Sequence, residues 1–328
     1  MLDAAVIGLG WWGRTIVRTL SGSDKLRVVA GVDPAPQAAD AGLNLLPSLE
    51  AALADPRVQA VVLCTPHTQH AAQILQAAEA GKHVFCEKPL CLTLADAEAA
   101  VAACAKAAIV LGVGHERRFE PPILELRRLL ASGALGTPLQ IEANFSQDKF
   151  LSLPADNWRL SGQEAPAGPM TATGIHLLDL AVSMLGPAET ALARVRQLGS
   201  KLANGDTLGA LIGFQSGANA LLSAILATPF DGRFALYGSE GWAEVRDKAH
   251  PEHPEGWTLT VARRGHERTV HDFPPSPAVR ANLEAFADAA LGRAAYPMPD
   301  QDKLRTVAAL EAVFMSAANE RVERVAGF

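Results

Sequence analysis

Long apolar runs are missing from this chain of 328 residues. No stretch approaches the roughly 18 consecutive apolar residues that a membrane-spanning helix needs. The first ten residues, MLDAAVIGLG, have neither the charged region nor the cleavage site of a signal peptide. Lysine and arginine total 29 against 35 aspartates and glutamates, and no basic stripe or tail points to nucleic acid. We therefore expect a cytoplasmic protein that has neither a membrane nor a nucleic acid as partner.

Cysteine is also scarce, with four residues at positions 64, 86, 91 and 104. None of them forms a C-x-x-C pair, and all lie in apolar segments, so we expect reduced core thiols and no metal site. The nine histidines are scattered. His67 and His70 are three residues apart but lack an acidic partner, which favours polar residues at the start of a helix.

A glycine motif near the amino terminus is the first feature with chemical content. The apolar strand 4–7 runs into Gly8, Gly10 and Gly13, and a helical segment follows over residues 14–20. In this context the first glycine permits a tight turn, and the second lets the backbone approach a pyrophosphate. The third lets the helix lie close to the strand. The helix amino terminus then favours negatively charged phosphates, so the motif predicts a dinucleotide site.

Two further features bear on the cofactor. Trp11 and Trp12, inside the motif, are expected to shield the cofactor or to pack locally. The second strand, 27–32, ends at Asp33, about 20 residues past the motif, where an acid accepts hydrogen bonds from ribose hydroxyls. A 2′-phosphate about 4 Å from this carboxylate would cost about 4 kcal/mol per unit of like charge at an effective dielectric of about 20. Residues 34–37 contain no cation to offset that cost, which predicts NAD rather than NADP.

Strands alternate with helices as far as residue 113. The apolar strand segments are 60–64, 83–86 and 109–113, and the helical segments are 49–54, 69–80 and 94–107. Strands that are apolar along their whole length and alternate with helices are typical of a doubly wound parallel sheet. We therefore expect an α/β domain over residues 1–119.

The segment Glu87-Lys88-Pro89 ends one of these strands. Proline cannot extend the ladder, so the chain must turn there. A lysine at the carboxyl end of a parallel strand faces the crevice where open α/β sheets bind ligands. The alternative is a surface loop with a chance ion pair, since exposed Glu and Lys are common.

The pattern changes in the second half of the chain. A helix is predicted over 121–131, an alternating strand over 139–145, and a polar, proline-containing loop over 146–169. A helix over 174–185 follows, then strand candidates between 191 and 273, and closing helices over 278–291 and 301–319. The strand candidates include 209–214, 220–226, 234–237, 242–245 and 259–262. We expect an α+β domain over 120–328 with a large, mostly antiparallel sheet, whose C-terminal helix is able to pack back on the first domain.

Three passages carry a family resemblance: GLGWWG with Asp33, AGKHVFCEKPL, and GPMTATGIHLLDLA. GHERRFEP, ASGALGTPLQIEANFS and NWRLS support them, and their order and spacing span nearly the whole chain. The sequence resembles the glucose–fructose oxidoreductase/inositol dehydrogenase family (Gfo/Idh/MocA). The resemblance implies an amino-terminal Rossmann domain that binds NAD. It also implies a carboxyl-terminal domain whose open sheet often forms oligomer contacts, so we expect a homodimer or homotetramer through that sheet.

The resemblance also implies roles for particular residues. Lys88 matches the family's active-site lysine, His176 matches its catalytic histidine, and the Lys88–Pro89 bond resembles one that is often cis. The expected cofactor-binding residues are Gly8, Gly10, Trp11, Trp12, Gly13, Asp33, Thr65, Pro66, His70, Glu87 and Lys88.

There is one clear departure from the family pattern. The family commonly has aspartate four residues before the histidine, and this chain has Ala172. The carboxylate that would orient the imidazole is therefore missing, so either another group holds His176 or the chemistry relies more on Lys88. Asp179, three residues further along the same helix face, could reach the ring or be a structural acid.

These residues suit hydride transfer between a secondary alcohol and nicotinamide. Histidine accepts a proton near neutral pH, and a lysine in a dry site stabilises a developing alkoxide. Arginines could also bind a substrate carboxylate. The expected substrate contacts are Arg117, Arg118, Lys149, Asn157, Arg159, Thr173 and Asp179.

Several functions remain open from the sequence. The first is a dehydrogenase of a sugar, polyol or cyclic diol, including carboxylated ones. An alternative is a dihydrodiol dehydrogenase of aromatic-acid degradation. A different class is a non-catalytic regulator that senses NAD, and a third is NAD-dependent lysis or epimerisation without net redox change. Lys88 and His176 together favour an enzyme.

Overall fold

The structure, a computed structural model, describes residues 1–35, 42–251 and 253–327. They divide into two units. The first comprises Met1–Glu116 and Pro277–Val307, and the second comprises Arg117–Ser276 and Ala308–Phe328. The chain thus leaves the first unit and returns to it, and each unit is described below by itself.

The elements of the amino-terminal segment alternate as the sequence predicts. They are β1 (Leu2–Ile7), α1 (Trp11–Leu20), β2 (Leu26–Val32), α2 (Leu49–Ala54), β3 (Ala60–Leu63), α3 (His70–Glu79), β4 (His83–Cys86), α4 (Leu94–Lys106) and β5 (Leu111–Val113). The first helix begins at Trp11 rather than at residue 14, and Gly10 is its N-cap residue.

The described residues of the remaining segments carry a large sheet and four α-helices. Their elements are α5 (Pro121–Ala131), β6 (Pro138–Ser146), α6 (Ile175–Leu185), β7 (Ala188–Arg196), β8 (Thr207–Phe214), β9 (Asn219–Ile225), β10 (Asp231–Gly238), β11 (Gly241–Asp247), β12 (Trp257–Arg263), β13 (Thr269–Phe273), α7 (Ala278–Ala290), α8 (Asp300–Asn319) and β14 (Glu323–Arg324). One π-helical turn, Met170–Gly174, precedes α6, so the helix predicted to begin at 174 is preceded by an extra wound turn.

The first unit is built on a five-stranded parallel sheet in the order β2-β1-β3-β4-β5. Side chains of β1 alternate between two cores: Val6 packs in one with Phe286 of α7, and Ile7 packs in the other with Ile74 of α3. Both faces are therefore covered, which explains why β3 is apolar at every position. The predicted doubly wound parallel sheet is confirmed.

The second unit contains a nine-stranded sheet in the order β13-β12-β11-β10-β6-β9-β8-β7-β14. Its described neighbours pair antiparallel, apart from β6 and β9, which run parallel. Helix α6 lies against β6 and β9 on one face. Burial alternates along β8 and β9, so one face of these strands is packed and the other is more exposed. The predicted α+β arrangement with a mostly antiparallel sheet is confirmed.

Candidate active site

The glycine loop between β1 and α1 has the form that a dinucleotide requires. Gly8 has a φ of +90°, and a Cβ there would lie 2.8 Å from the Cys64 carbonyl oxygen. A Cβ at Gly13 would lie 1.9 Å from the Gly8 carbonyl oxygen, so helix and strand touch through the glycines. At Gly10 a Cβ would meet nothing within 4 Å. The backbone at Gly10 therefore borders open space, as close approach of a pyrophosphate demands.

The start of α1 suits an anion. The helix has no acidic residue in its first turn and no side chain that caps its amino terminus. The first amides of a helix lack intrahelical acceptors and carry a partial positive charge. Trp11 is 37% exposed, and its ring centroid lies 5.5 Å from that of Trp12. The two indoles therefore flank a loop whose backbone is able to receive phosphates.

Asp33 lies where β2 ends and bonds directly to the glycine loop. Its Oδ2 accepts from the Leu9 N–H at 2.6 Å, and its Oδ1 accepts from the Ala35 N–H at 2.7 Å. These bonds fix a carboxylate beside the loop at the carboxyl edge of the sheet. Pro36 and Gln37, where the sequence offers no cation, lie outside the described residues.

His70 ties the ends of β3 and β4 together. One ring nitrogen lies 2.9 Å from the Pro89 carbonyl oxygen, and the other lies 3.1 Å from the Thr65 carbonyl oxygen. The side chain is fully buried, and Thr65 Oγ1 donates to Gln73 Oε1 at 2.6 Å. The structure therefore places His70 beneath the turns that follow the strands, in a position to support Thr65, Pro66 and Lys88.

The Glu87-Lys88-Pro89 segment follows β4 and contains the expected cis bond between Lys88 and Pro89. Glu87 is buried, at 7% exposure, and Lys88 is half-buried. Burial, and after it the nearby Glu116 charge, raise the pKa of Glu87, while the Trp12 indole and the Lys88 ammonium lower it, and the result is a pKa of about 7. A charged lysine thus lies beside an acid that is ionised only in part at neutral pH.

In the second unit, His176 lies in the first turn of α6 and is 6% exposed. Its ring packs on Phe145 of β6, with centroids 5.9 Å apart and planes tilted by 38°. Phe145 also contacts the rings of Phe230 and His250, at 6.1 and 6.0 Å. The Arg117 guanidinium lies 5.4 Å from the Phe145 centroid. His176 is therefore held against an aromatic cluster of Phe145, Phe230 and His250.

Ala172, where the family commonly has an acid, lies in apolar surroundings. It packs against a small core formed by Phe150, Leu202 and Leu226. A carboxylate here would be desolvated by these side chains. The apolar packing around position 172 therefore suits alanine better than the aspartate that the family commonly has.

Two arginines expected to contact substrate are committed to buried ion pairs. Arg117 donates to Glu120 at 3.1 Å and to both oxygens of Asp247 at 2.8 Å. Arg118 donates through Nε and one terminal nitrogen to the two oxygens of Asp179, at 2.8 and 2.7 Å. Asp179 on α6 therefore forms a buried ion pair with an arginine 61 positions earlier in the chain.

The other expected substrate residues of this unit lie in or near the loop that follows β6. Asn157 Oδ1 accepts from the Arg159 N–H at 3.1 Å, and the Arg159 guanidinium lies 4.2 Å from the Trp158 ring centroid. Lys149 is half-buried at the start of a short 3₁₀ turn. Thr173 is buried and donates to the Pro169 carbonyl oxygen at 3.3 Å.

The sequence alone did not suggest several residues near His176. Phe145 was only one apolar position of an alternating strand, and His250 and Phe230 lie in connections that carry no motif. Gln147 Oε1 accepts from Nε2 of the His250 ring and thereby anchors it. A signal for Phe145 did exist, because ASGALGTPLQIEANFS forms part of the family resemblance.

Comparison with known proteins places these features in a family. Residues 2–115 match the model of an oxidoreductase family with an NAD-binding Rossmann fold, and residues 123–244 match the GFO/IDH/MocA C-terminal domain. The chain belongs to the Gfo/Idh/MocA oxidoreductase family. Its first unit is thus an NAD-binding Rossmann domain, in agreement with the glycine loop and Asp33.

Individual members of the family resemble the chain over most of its length. It is 30% identical over 282 residues to 1,5-anhydro-D-fructose reductase of Ensifer adhaerens, covering 85% of this chain and 83% of the relative. It is 27% identical over 334 residues to inositol 2-dehydrogenase of Rhizobium meliloti (strain 1021), covering 96% and 97%. The crystal structure of GenD2 from gentamicin A biosynthesis, in complex with NAD, has a TM-score of 0.85 at 26% identity, covering 99% and 97%.

Two other kinds of site are absent from the described residues. No helix in the described ranges combines the length and apolarity that crossing a membrane requires. Among the residues that the structure describes, no three His, Cys, Asp or Glu side chains form a group that could hold a metal ion.

Proposed function

We propose that this oxidoreductase transfers hydride between a secondary alcohol of a sugar or polyol and NAD. One observation carries the proposal: adjacent strands of the parallel sheet end in Asp33, the glycine loop, Thr65 and Lys88, and contacts link them. The loop bonds to Asp33 and packs on Cys64, and His70 links Thr65 to the Lys88 turn. A cofactor cradle and a lysine thus share one edge of the first unit.

Each candidate catalytic residue has a role in this proposal. When bound, NAD supplies the carbon that accepts or gives the hydride. Lys88 presents a positive charge to the alcohol oxygen as negative charge develops there. His176 accepts the hydroxyl proton in oxidation and returns it in reduction, and the Phe145 ring restricts the imidazole orientation.

NAD is the proposed cofactor in preference to NADP. Asp33 is held by the Leu9 and Ala35 amides, so its carboxylate cannot swing away from a 2′-phosphate without losing both bonds. Like charges about 4 Å apart repel by about 4 kcal/mol at an effective dielectric of about 20. The carboxylate accepts hydrogen bonds from ribose hydroxyls without this cost.

A polyhydroxylated substrate is supported by the relatives, which are named for an anhydrosugar and for inositol. Lys149, Asn157 and Arg159 are the half-buried polar residues that we propose as substrate contacts. Arg117 and Arg118 are committed to Asp247, Glu120 and Asp179, which weakens the case for a carboxylated dihydrodiol. The relatives are named as a reductase of an anhydrosugar and a dehydrogenase of inositol, so neither the sensor nor the dihydrodiol alternative is favoured.

A substrate panel tests this function. Purified protein is incubated with NAD and myo-inositol, scyllo-inositol, D-glucose or D-apiose, and with NADH and 1,5-anhydro-D-fructose, while NADH absorbance is followed. We expect turnover of at least one compound and faster turnover with NAD(H) than with NADP(H). Binding of NAD without turnover of any compound would contradict the proposal and restore the sensor. Product formation without net NADH would instead indicate lysis or epimerisation.

We further propose that the chain is a homodimer or homotetramer that associates through the open face of the nine-stranded sheet. Leu192, Leu211 and Leu221 lie side by side in register on β7, β8 and β9, and each is more than 40% exposed. They border a cavity of about 800 Å³ that also contains Arg233 and Glu142. A row of exposed leucines flanked by both signs of charge fits a second copy of itself.

We propose the cytoplasm as the location. Cys86, Cys91 and Cys104 are buried free thiols. Burial raises the pKa of Cys91 to about 12 and that of Cys104 to about 11, so both stay protonated at neutral pH. Unreactive reduced thiols are typical of a reducing compartment.

A further inference from the structure

Glu87 is a buried acid directly before the candidate catalytic lysine. Its backbone N–H donates to the Leu63 carbonyl oxygen at 2.9 Å, which continues the pairing of β3 and β4 by one residue. Its Oε2 accepts from the Lys88 N–H at 3.3 Å. The carboxyl group therefore folds back over its own turn, and its side chain is only slightly exposed.

Gly114 fixes where the carboxyl group lies. A Cβ at position 114 would stand 2.6 Å from Oε2 and 2.7 Å from both Oε1 and the carboxyl carbon of Glu87. The acid thus packs on the bare backbone that follows β5, in a space that any side chain at 114 would fill. The Gly114 N–H donates to the Cys86 carbonyl oxygen at 2.8 Å, so that backbone is itself held to β4.

Three neighbouring side chains act on the Glu87 charge. Glu116 repels it, and the Lys88 ammonium and the Trp12 indole favour it. The Cys86 thiol is fully buried, and burial raises its pKa well above its usual value, so it stays neutral. Burial outweighs these influences and leaves the carboxyl group able to change its charge near neutral pH.

We propose that Glu87 is a positioning residue for Lys88. The carboxyl group of Glu87, which packs on Gly114, sets how firmly Lys88 holds its proton. This proposal rests on the proposed function of Lys88. Ionised Glu87 keeps Lys88 positively charged, the form that stabilises a developing alkoxide. Neutral Glu87 lets Lys88 lose its proton more readily, so the pH controls the lysine through its neighbour.

The first test measures the Glu87 proton without any substrate. The pKa of Glu87 is raised from 4.5 to about 7 in the folded protein, so the folded state binds this proton more tightly than the unfolded state does. Stability from this group is present below about pH 4.5 and is lost as the pH rises through about 7. In the wild type, this group should raise the unfolding equilibrium constant by about two orders of magnitude between pH 5 and pH 8. Glu87→Gln should lack this increase. Glu79→Gln, at an exposed acid of α3, is the matched control.

The second test observes Lys88 itself. The protein is labelled with ¹³C-lysine, the Lys88 Cε signal is assigned with Lys88→Arg, and the signal is followed by NMR as the pH is raised. We expect Lys88 to lose its proton at a lower pH in Glu87→Gln than in the wild type, and Glu79→Gln to leave it unchanged. Identical Lys88 titrations in wild type and Glu87→Gln would overturn the proposal.

The third test uses the compound that the substrate panel finds to be turned over. The pH profile of kcat/KM near pH 7 should differ between the wild type and Glu87→Gln, because proton transfer at His176 is common to both proteins. Identical profiles for the two proteins would contradict the proposal. If no compound is turned over, the proposed function fails, but the stability and NMR measurements still decide the role of Glu87.

A second variant covers the case in which Glu87→Gln does not fold. Glu116→Gln removes the repulsion on Glu87, so the pH at which stability declines should move lower, and the Lys88 titration should change with it. If stability shifts but Lys88 does not respond, Glu87 is a buried acid without influence on the lysine, and the proposal is wrong.

Discussion

Lys88 is restricted by what precedes and follows it. Glu87 accepts from its backbone N–H, and the carbonyl oxygen of Pro89 lies 2.9 Å from the His70 ring. A cation held at a defined place stabilises charge at low reorganisation cost, which a mobile surface lysine does not do. Substitution of single residues therefore tests the proposed chemistry most directly.

Lys88→Ala should abolish most hydride transfer while leaving NAD bound. The lost charge is expected to lower kcat by about 10²–10⁴-fold, because a preorganised charge and proton transfer each contribute on that order. NAD affinity, measured by calorimetry, should change by less than about tenfold. Lys106→Ala, at an exposed lysine at the end of α4, is the control. An active Lys88→Ala variant would remove this lysine from the mechanism.

Asp33→Ala should weaken the preference for NAD over NADP. The variant removes the charge that repels a 2′-phosphate, so the ratio of the two dissociation constants is expected to shift toward NADP by about two orders of magnitude or more. The ratio is the informative quantity, since loss of the bond to Leu9 weakens both cofactors alike. Asp148→Ala, at an exposed acid, is the control and should leave the ratio unchanged. If Asp33→Ala also leaves the ratio unchanged, another group sets the preference for NAD and the prediction is wrong.

Sequence patterns can predict some parts of the candidate site and not others, for physical reasons. The glycine loop and Asp33 are local to one strand–turn–helix unit, so their spacing encodes their geometry. The partners of Arg117 and Arg118 are not local: Asp247 lies 130 positions from Arg117, and Asp179 lies 61 from Arg118. An arginine's sequence neighbours do not reveal a carboxylate that another strand or helix brings to it.

At the scale of elements, the turn before α6 decides what surrounds His176. The π-helical turn Met170–Gly174 leads directly into the helix, and Gly174 lies tightly against Met170 and Leu208. Ala172, in the same turn, faces Phe150, Leu202 and Leu226. The helix itself was predictable from its apolar period, but the turn was not, because one extra residue per turn leaves no distinct pattern.

Ala172→Asp should therefore destabilise the protein instead of restoring a family-like acid. A carboxylate placed against apolar side chains loses hydration, and we expect a loss of about 2 kcal/mol in the free energy of unfolding. Chemical denaturation of the variant, with Ala172→Ser as the smaller polar control, measures the effect. A variant as stable as the wild type and faster in turnover would show that the acid can reach His176 after all.

At the scale of the whole molecule, the open sheet face sets the expected assembly. Arg233 bonds to Glu244 at 2.6 Å and to Glu142 at 3.2 Å, so Arg233 and Glu142, beside the leucine row, are already paired within the sheet. Paired charges cost less to bury than single ones, which suits a face that a second copy covers.

Leu211→Glu should shift the protein toward monomers. The substitution places a charge in the middle of the leucine row, opposite Leu192 and Leu221. Sedimentation velocity should show a larger species for the wild type than for the variant, with NAD binding retained. Leu124→Glu, at an exposed leucine of α5, is the control. A wild type that is monomeric at micromolar concentration would contradict the proposed interface.

The return of the chain to its first unit has a consequence for synthesis. Phe286 of α7 is fully buried, its ring centroid lies 5.6 Å from that of Phe85 on β4, and Gly112 of β5 is packed against both. The ribosome makes β1 to β5 first, yet the helix that covers this face emerges only after the entire nine-stranded sheet except its last short strand. The first segment made is thus among the last to be completed, and the apolar surface that α7 covers stays exposed until α7 has been made.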